Sequence, residues 1–318
     1  MTSRRRWPLV TAAAIGVALV LAPVVFQMFT RAPEGGTMIK GFKPYMTTET
    51  IATFRGDLAV IGSASHEVTA LQGRIPRTDP GIATFQQRWP GIDADMSAML
   101  STMAANLGHY QGVAALPPFV LFPWFFVLPG IFVVALAVLG LRAPPQSTRT
   151  SRLRIALAVL GVGIIAAPAI FQMFTRAPGG SKMINAFRPL MTTAKLTKIQ
   201  GYFLTIGDGE GELRLDVVPQ LTAAAVPASE LDAITTFTDQ WPTIASTMAP
   251  MIGAMSDNVG NYDAVKALPP FWLFPWFFVV PGLLVAVLAV FSRPSRRLGI
   301  APAARAESVG FTLQGASP

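Results

Sequence analysis

Apolar residues follow two different patterns along the chain. In four stretches no Asp, Glu, Lys or Arg interrupts the sequence: Trp7 to Thr30, Met96 to Leu141, Ile155 to Thr175, and Ala267 to Ser292. A helix rises about 1.5 Å per residue and needs about 20 apolar residues to cross ~30 Å of hydrocarbon. Each window therefore predicts one membrane span, at 8–29, 119–141, 155–174 and 271–291. Between the spans the apolar positions take a helical period. Ile51, Phe54, Leu58 and Ile61 recur at i, i+3, i+7 and i+10, as do Leu196, Ile199, Phe203 and Ile206. Met96, Met99 and Met103 form another such stripe, matched by Met248, Met251 and Met255. Pro90 and Pro242 suit a first helical turn, and Gly108 and Gly260 suit a helix end. Each inter-span segment thus reads as three or four short helices. The stretch Gly207 to Val218, rich in Gly and acids, reads as a hairpin or a turn-rich loop.

The two halves of the chain are copies of one another. Residues 22–48 align with 167–193 at an offset of 145, with 18 of 27 positions identical. Residues 106–130 align with 258–282 at an offset of 152, both copies carrying an LPPFxLFPWFF block. The second copy is seven residues longer, between these two blocks. Each copy contributes two spans, an even number, so the copies are expected to be parallel repeats about an axis along the membrane normal. The predicted fold class is an all-α integral membrane protein, with four spans arranged 2+2 and a mainly helical extracytoplasmic domain in each repeat.

Charge sets the expected orientation. Residues 1–6, 142–154 and 292–318 carry eleven Arg against a single acid, Glu307, whereas 30–116 balances seven bases with seven acids. Arg-rich short segments remain in the cytoplasm. The reading is a cytoplasmic N-terminus (1–7), linker (142–154) and tail (292–318), with 30–118 and 175–270 outside a plasma membrane. The tail lacks an apolar period and is expected to be mobile. Arg4 to Arg6 before an apolar run also describe an export signal. The internal copy of that run, and the lack of a small-x-small cleavage site after Phe26, favour a retained anchor.

Composition narrows the chemistry. Only 13% of residues are charged and the mean hydropathy is +0.48, which excludes an ordinary soluble protein. With no cysteine, disulfides, thiolate metal sites and a cysteine nucleophile are ruled out. The net charge of +8 flanks the spans and does not form a basic, aromatic-studded face, so no nucleic-acid partner is expected. No span holds an ionisable side chain, which speaks against an autonomous ion-coupled pump. Gln27 and Gln172, at the outer ends of spans one and three, read as interfacial side chains that snorkel. His66 and His109 have no imidazole counterparts in the other copy, and no HExxH, Walker A, GxSxG or dinucleotide fingerprint occurs. No enzyme activity, cofactor or metal is expected. Asp208, Glu210, Glu212 and Asp216 lack the order of a calcium loop and read as a solvated turn.

Two sets of candidate residues remain. Phe122, Trp124, Phe125, Phe274, Trp276 and Phe277, in the repeated aromatic blocks, would form an exofacial apolar surface for lipid or a partner, or else an aromatic belt. Ala18 and Ala22, with Gly163 and Ala167, have small-xxx-small spacing and would pack spans one and three together, or join copies of the chain. The first functional expectation is a non-enzymatic membrane protein whose helical ectodomains bind an envelope partner. The second is a lipid-handling or hydrophobic-solute component with a groove between the repeats, lined by the aromatic faces and the methionines. Expected partners are membrane lipids and a membrane or envelope protein, or a homo-oligomer.

Overall fold

The computed structural model describes residues 6–75, 80–144 and 147–292, and among them every regular element is a helix. Four helices are long and apolar enough to cross a membrane. The first is α1 (Trp7–Val25). The second, Phe119–Arg142, joins a 3₁₀ turn (Phe119–Leu121) to α5 (Trp124–Arg142). The third is α6 (Thr148–Ile170). The fourth, Phe271–Phe291, joins a 3₁₀ turn (Phe271–Leu273) to α12 (Trp276–Phe291). Nearly all exposed large hydrophobic side chains lie on these helices or at their ends, Leu204 and Leu215 being the exceptions. That distribution is the one lipid selects, since hydrocarbon imposes no penalty on exposed apolar surface.

Spans one and three end before their apolar runs do. Gln27 and Gln172 adopt left-handed backbone, each with φ of 53°, and new helices begin immediately after them: α2 (Met28–Phe42) and α7 (Met173–Phe187). The break follows Pro23 and Pro168 in the last turns of α1 and α6. Left-handed backbone costs a non-glycine residue about 1–2 kcal/mol. Here it lets each glutamine carbonyl start the next helix: Gln27 O accepts from Arg31 N at 3.0 Å, and Gln172 O from Arg176 N at 3.0 Å. Both glutamines are exposed, as snorkelling side chains are.

The spans pack in pairs, α1 against α5 and α6 against α12, with α5–α6 and α1–α12 contacts closing the bundle. Each pair meets at two glycines. A Cβ on Gly16 would stand 2.8 Å from Gly130 O, and one on Gly130 would stand 2.8 Å from Gly16 O; Gly161 and Gly282 repeat both distances. Backbones this close require glycine on both sides. The expected pairing of spans one and three through Ala18, Ala22, Gly163 and Ala167 is replaced by this arrangement. Ala18 and Gly163 lie on exposed faces, and no atom comes within 4 Å of a Cβ built on Gly163. The packing stripe runs two residues earlier, through Gly16 and Gly161.

Between the spans, the first copy folds as α3 (Thr48–Leu71) and α4 (Pro80–Ala114). The second folds as α8 (Thr193–Glu212), a π-helical turn (Leu213–Val217), α9 (Val218–Ala223), α10 (Asp232–Asp257) and α11 (Val259–Lys266). Thr47 and Thr192 cap α3 and α8, their hydroxyls accepting from Thr50 N and Lys195 N. Ile51, Phe54, Leu58, Ile61, Leu196, Ile199 and Ile206, and both methionine stripes, are buried, as their spacing requires.

Three local expectations fail. Pro90 and Pro242 lie inside α4 and α10 and not in their first turns. Both prolines are exposed, where water can satisfy the carbonyls they leave unbonded. Gly108 lies within α4, whereas the second copy does break nearby, at Asn258. The stretch Gly207 to Val218 is helical throughout, with Leu213 and Val217 buried. The chain accommodates its extra length there through the π turn and α9 instead of a hairpin.

The two inter-span segments interlock around one core. From the first copy, α4 packs on α7 and α8 of the second; in return α10 packs on α3, and α11 on α2. Buried residues from both copies form a single cluster. The expected tail after Arg297 lies outside the described residues.

Candidate functional site

Where the copies meet, an apolar slot is lined by seven residues from each. From the first copy, α2 supplies Met38, Ile39 and Phe42, the turn after it supplies Met46, and α4 supplies Met99, Met103 and Tyr110. The other seven are the residues at the matching positions of the second copy: Met183, Ile184, Phe187, Met191, Met251, Met255 and Tyr262. All seven pairs are identical in type. Elsewhere in the core some positions interchange between the copies, as with Val68 and Leu213 or Leu100 and Ile252, while others, such as Ile82 and Ile234 or Phe85 and Phe237, are also identical. Eight of the chain's 13 methionines line this one slot.

The slot is small: its cavity volume is about 40 Å³, and the wider 580 Å³ between its atoms takes in open solvent. No polar surface lines it. The only hydroxyls nearby are already committed: Tyr110 donates to Ile39 O and Tyr262 to Ile184 O, each at 2.6 Å. Burial raises both phenol pKa values, so these rings remain neutral. Water has no partner in such a space and gains nothing by filling it. Methionine, unbranched and polarizable, gives walls that reshape around an apolar guest.

A smaller chamber, with a cavity volume of about 10 Å³, shares Met38, Ile39, Met183 and Ile184 with the slot, and adds the pairs Gly35/Gly180, Val113/Val265 and Phe119/Phe271. Beyond it the aromatic blocks close the path. Phe122 and Phe274 face one another with ring centroids 5.6 Å apart, and Phe126 and Phe278 at 4.6 Å. The expected exofacial surface is therefore divided. Phe122 and Phe274 are buried between the copies, and Phe125 and Phe277 are half-buried. Trp124 and Trp276 are 46% and 50% exposed, and meet Phe29 and Phe174 edge-on. The tryptophans take positions suited to an aromatic belt, and the inner phenylalanines floor the smaller chamber.

Polar clamps between the copies hold this arrangement. Glu212, at the end of α8, accepts from Gly81 N at 3.0 Å and Ile82 N at 2.8 Å, capping α4. Its counterpart Glu67 accepts from Ile234 N at 2.8 Å and caps α10. A carboxylate at a helix N-terminus meets both free N–H groups and the positive end of the dipole. Glu212 makes the extra bond because Gly81 admits it; a Cβ there would lie 2.4 Å from Glu212 Oε1, and the matching residue in the second copy is Ala233. At the opposite ends, Arg31 donates to Ala267 O at 3.2 Å and Arg176 to Ala115 O at 2.8 Å. These carbonyls lie just past α11 and α4, where cations are favoured.

One polar cluster is not duplicated. Asp95 on α4 takes salt bridges from Lys195 at 2.8 Å and Lys198 at 3.0 Å on α8, and a hydrogen bond from Tyr202. Lys195 chiefly, then Tyr202, hold the Asp95 carboxyl well below the usual range. The acidic residues of the second copy do not converge. Asp208 is exposed, Glu210 is buried and paired with Arg214 at 3.1 Å, and Glu212 is engaged as a cap. Burial raises the pKa of Glu210. Among the described residues no group of three or more His, Asp or Glu is arranged to hold a metal.

Sequence reasoning singled out the methionine stripes and Phe122, Phe274 and their neighbours, but not Met38, Met46, Ile39 or Phe42. Their signal was present as identities at the two offsets. What the linear sequence withheld was that these two blocks converge across the copies. No protein-family model matches the chain, and no curated protein is detectably similar to it.

Proposed function

We propose that this is a non-enzymatic, multi-pass plasma-membrane protein that holds the hydrocarbon part of a lipid or similar solute in the methionine slot between its two copies. In this reading the copies are parallel repeats about an axis along the membrane normal. The Arg-rich termini and linker lie in the cytoplasm, and the interlocked helical domain, with the slot, lies outside. The observation that carries the reading is the lining itself: seven pairs contributed equally by the two copies, eight of the fourteen residues methionine, with no polar surface facing the slot. We rank this ahead of binding an envelope protein because the methionines of this slot are buried between the copies, where a docking protein does not reach them.

The test is native mass spectrometry of the protein released from its own membranes, beside a Met103→Phe/Met255→Phe variant that fills the slot and a Trp124→Ala/Trp276→Ala variant of the outer faces. The reading expects a stoichiometric lipid on the wild type and on the tryptophan variant, lost from the filled one. A protein that carries no lipid, or a lipid indifferent to filling, would reject it.

A further inference from the structure

We infer that the slot and the smaller chamber form one conduit, and that its occupant is a single unbranched hydrocarbon chain of a membrane lipid, measured in length by the Phe122–Phe274 floor. This rests on the hydrophobic-ligand reading above and specifies the chemistry of its ligand.

Three observations lead to it. The two cavities are neighbours that share four lining residues, Met38, Ile39, Met183 and Ile184. Methionine side chains turn about three bonds and move aside at little cost, so Met38 and Met183 are the mobile half of this partition and the β-branched Ile39 and Ile184 the fixed half. Second, the conduit is thin. Only about 40 Å³ of the slot and about 10 Å³ of the chamber admit the centre of a water-sized sphere. A fused ring system, a methyl-branched isoprenoid or a second acyl chain would force the helices apart, whereas a polymethylene chain has the smallest cross-section of any lipid hydrocarbon. Third, the path leads from the inter-span helices towards the spans and ends there. Phe119 and Phe271 wall the chamber, and beneath them Phe122 packs on Phe119 with centroids 4.9 Å apart, Phe274 on Phe271 at 5.8 Å, and Phe122 on Phe274. The lower chamber exists because both Gly35 and Gly180 lack side chains. A Cβ on Gly35 would stand 3.0 Å from the Phe119 ring, and one on Gly180 would stand 3.3 Å from Phe271.

A conduit that ends on a fixed floor gives a characteristic length dependence. Each methylene buried adds about 0.8 kcal/mol, close to fourfold in affinity, until the chain end meets the floor. Beyond that length the gain stops.

The experiment offers the full-length protein in detergent an equimolar ladder of straight-chain saturated fatty acids, with a methyl-branched isoprenoid acid as competitor, and reads bound species by native mass spectrometry. The wild type is expected to show a steep rise to a cut-off length, and preference for straight over branched chains. Gly35→Leu/Gly180→Leu should move the cut-off to shorter chains by several carbons, and Phe122→Ala/Phe274→Ala, which opens the floor, should move it to longer ones. The alanine pair decides the matter if the leucine pair fails to fold. A cut-off unchanged in the alanine pair, or a branched acid bound as well as a straight one, would overturn the conduit while leaving the hydrophobic-ligand reading intact. No fatty acid bound to any form would reject both.

Discussion

Adding one methyl group at Gly161 or at Gly163, two residues apart on the same span, should have opposite effects. Gly161 lies in the crossing with α12, where a Cβ would come within 2.8 Å of both Gly282 O and Ala286 N. Both atoms are backbone, so no rotamer relieves the contact and the helices must separate by several tenths of an ångström. Overpacking of this kind costs about 1–3 kcal/mol, and widening the crossing also forfeits dispersion contacts along its length. Gly163 faces outward with nothing within 4 Å of its Cβ position. There alanine only gains helix propensity, at most about 1 kcal/mol. Thermal unfolding in detergent, followed by loss of monodisperse protein, should place Gly161→Ala several degrees below wild type and Gly163→Ala level with it or above. Gly16→Ala should repeat the loss at the α1–α5 crossing, and the two losses should add because the crossings share no partners. If Gly163→Ala proved the damaging change, or Gly161→Ala were silent, the close glycine crossings would not be the contacts that hold the span pairs.

Further outcomes follow from the clamps and the proposed orientation. Glu212→Ala, losing two N-terminal hydrogen bonds of α4, should destabilise by about 0.5–2 kcal/mol; Glu67→Ala, losing one, should cost less, and the reverse order in denaturant unfolding would count against the capping geometry. Asp95 has a lowered folded pKa, so its stabilisation is present above the ordinary carboxylate pKa of ~4 and is lost as pH falls through the lower folded value. Asp95→Asn should therefore be less stable than wild type at pH 7, by about 1 kcal/mol for a partly exposed cluster, with the gap closing in strong acid. A gap that widened on acidification would refute this assignment. For topology, Ser63→Cys and Asp208→Cys, both exposed, should label in intact cells with an impermeant thiol reagent, and Thr148→Cys in the linker should not. Labelling at Thr148→Cys alone would invert the proposed orientation. Gly209 is unsuited as a probe, since a Cβ there would lie 2.8 Å from Phe85.

Much of this architecture is legible in the residues. The charge-free windows locate all four spans, and the i, i+3, i+7 rows of Ile51 to Ile61 and Met96 to Met103 mark faces that are in fact buried. The features that escape depend on conformations or distances that a linear pattern does not carry. Gln27 is not a residue type that announces left-handed backbone, so the apolar run through Phe29 reads as one span when it is a helix, a break and a second helix. Pro90 reads as a helix start because propensity places it there, whereas burial of Phe85 and Trp89 extends α4 ahead of it. The spacing of Ala18 and Ala22 fits close packing as well as that of Ala12 and Gly16; only the position of Gly130 on α5 selects the second pair. The slot was half visible. Its methionine stripe on α4 has helical spacing, but its other wall comes from α2 and α7, whose cross-copy placement no periodicity encodes.

The central claim, that the space between the copies holds a hydrocarbon chain, is tested most directly by photo-crosslinking. Cells would be fed a straight-chain fatty acid bearing a diazirine near its methyl end, irradiated, and the purified protein digested to locate adducts. Adducts are expected in the smaller chamber around Val113 and Val265, and around Met38 and Met183 on the partition, disappearing in the slot-filled Met103→Phe/Met255→Phe variant. Adducts confined to lipid-facing positions such as Val17 and Leu283, and unchanged by filling the slot, would contradict the account.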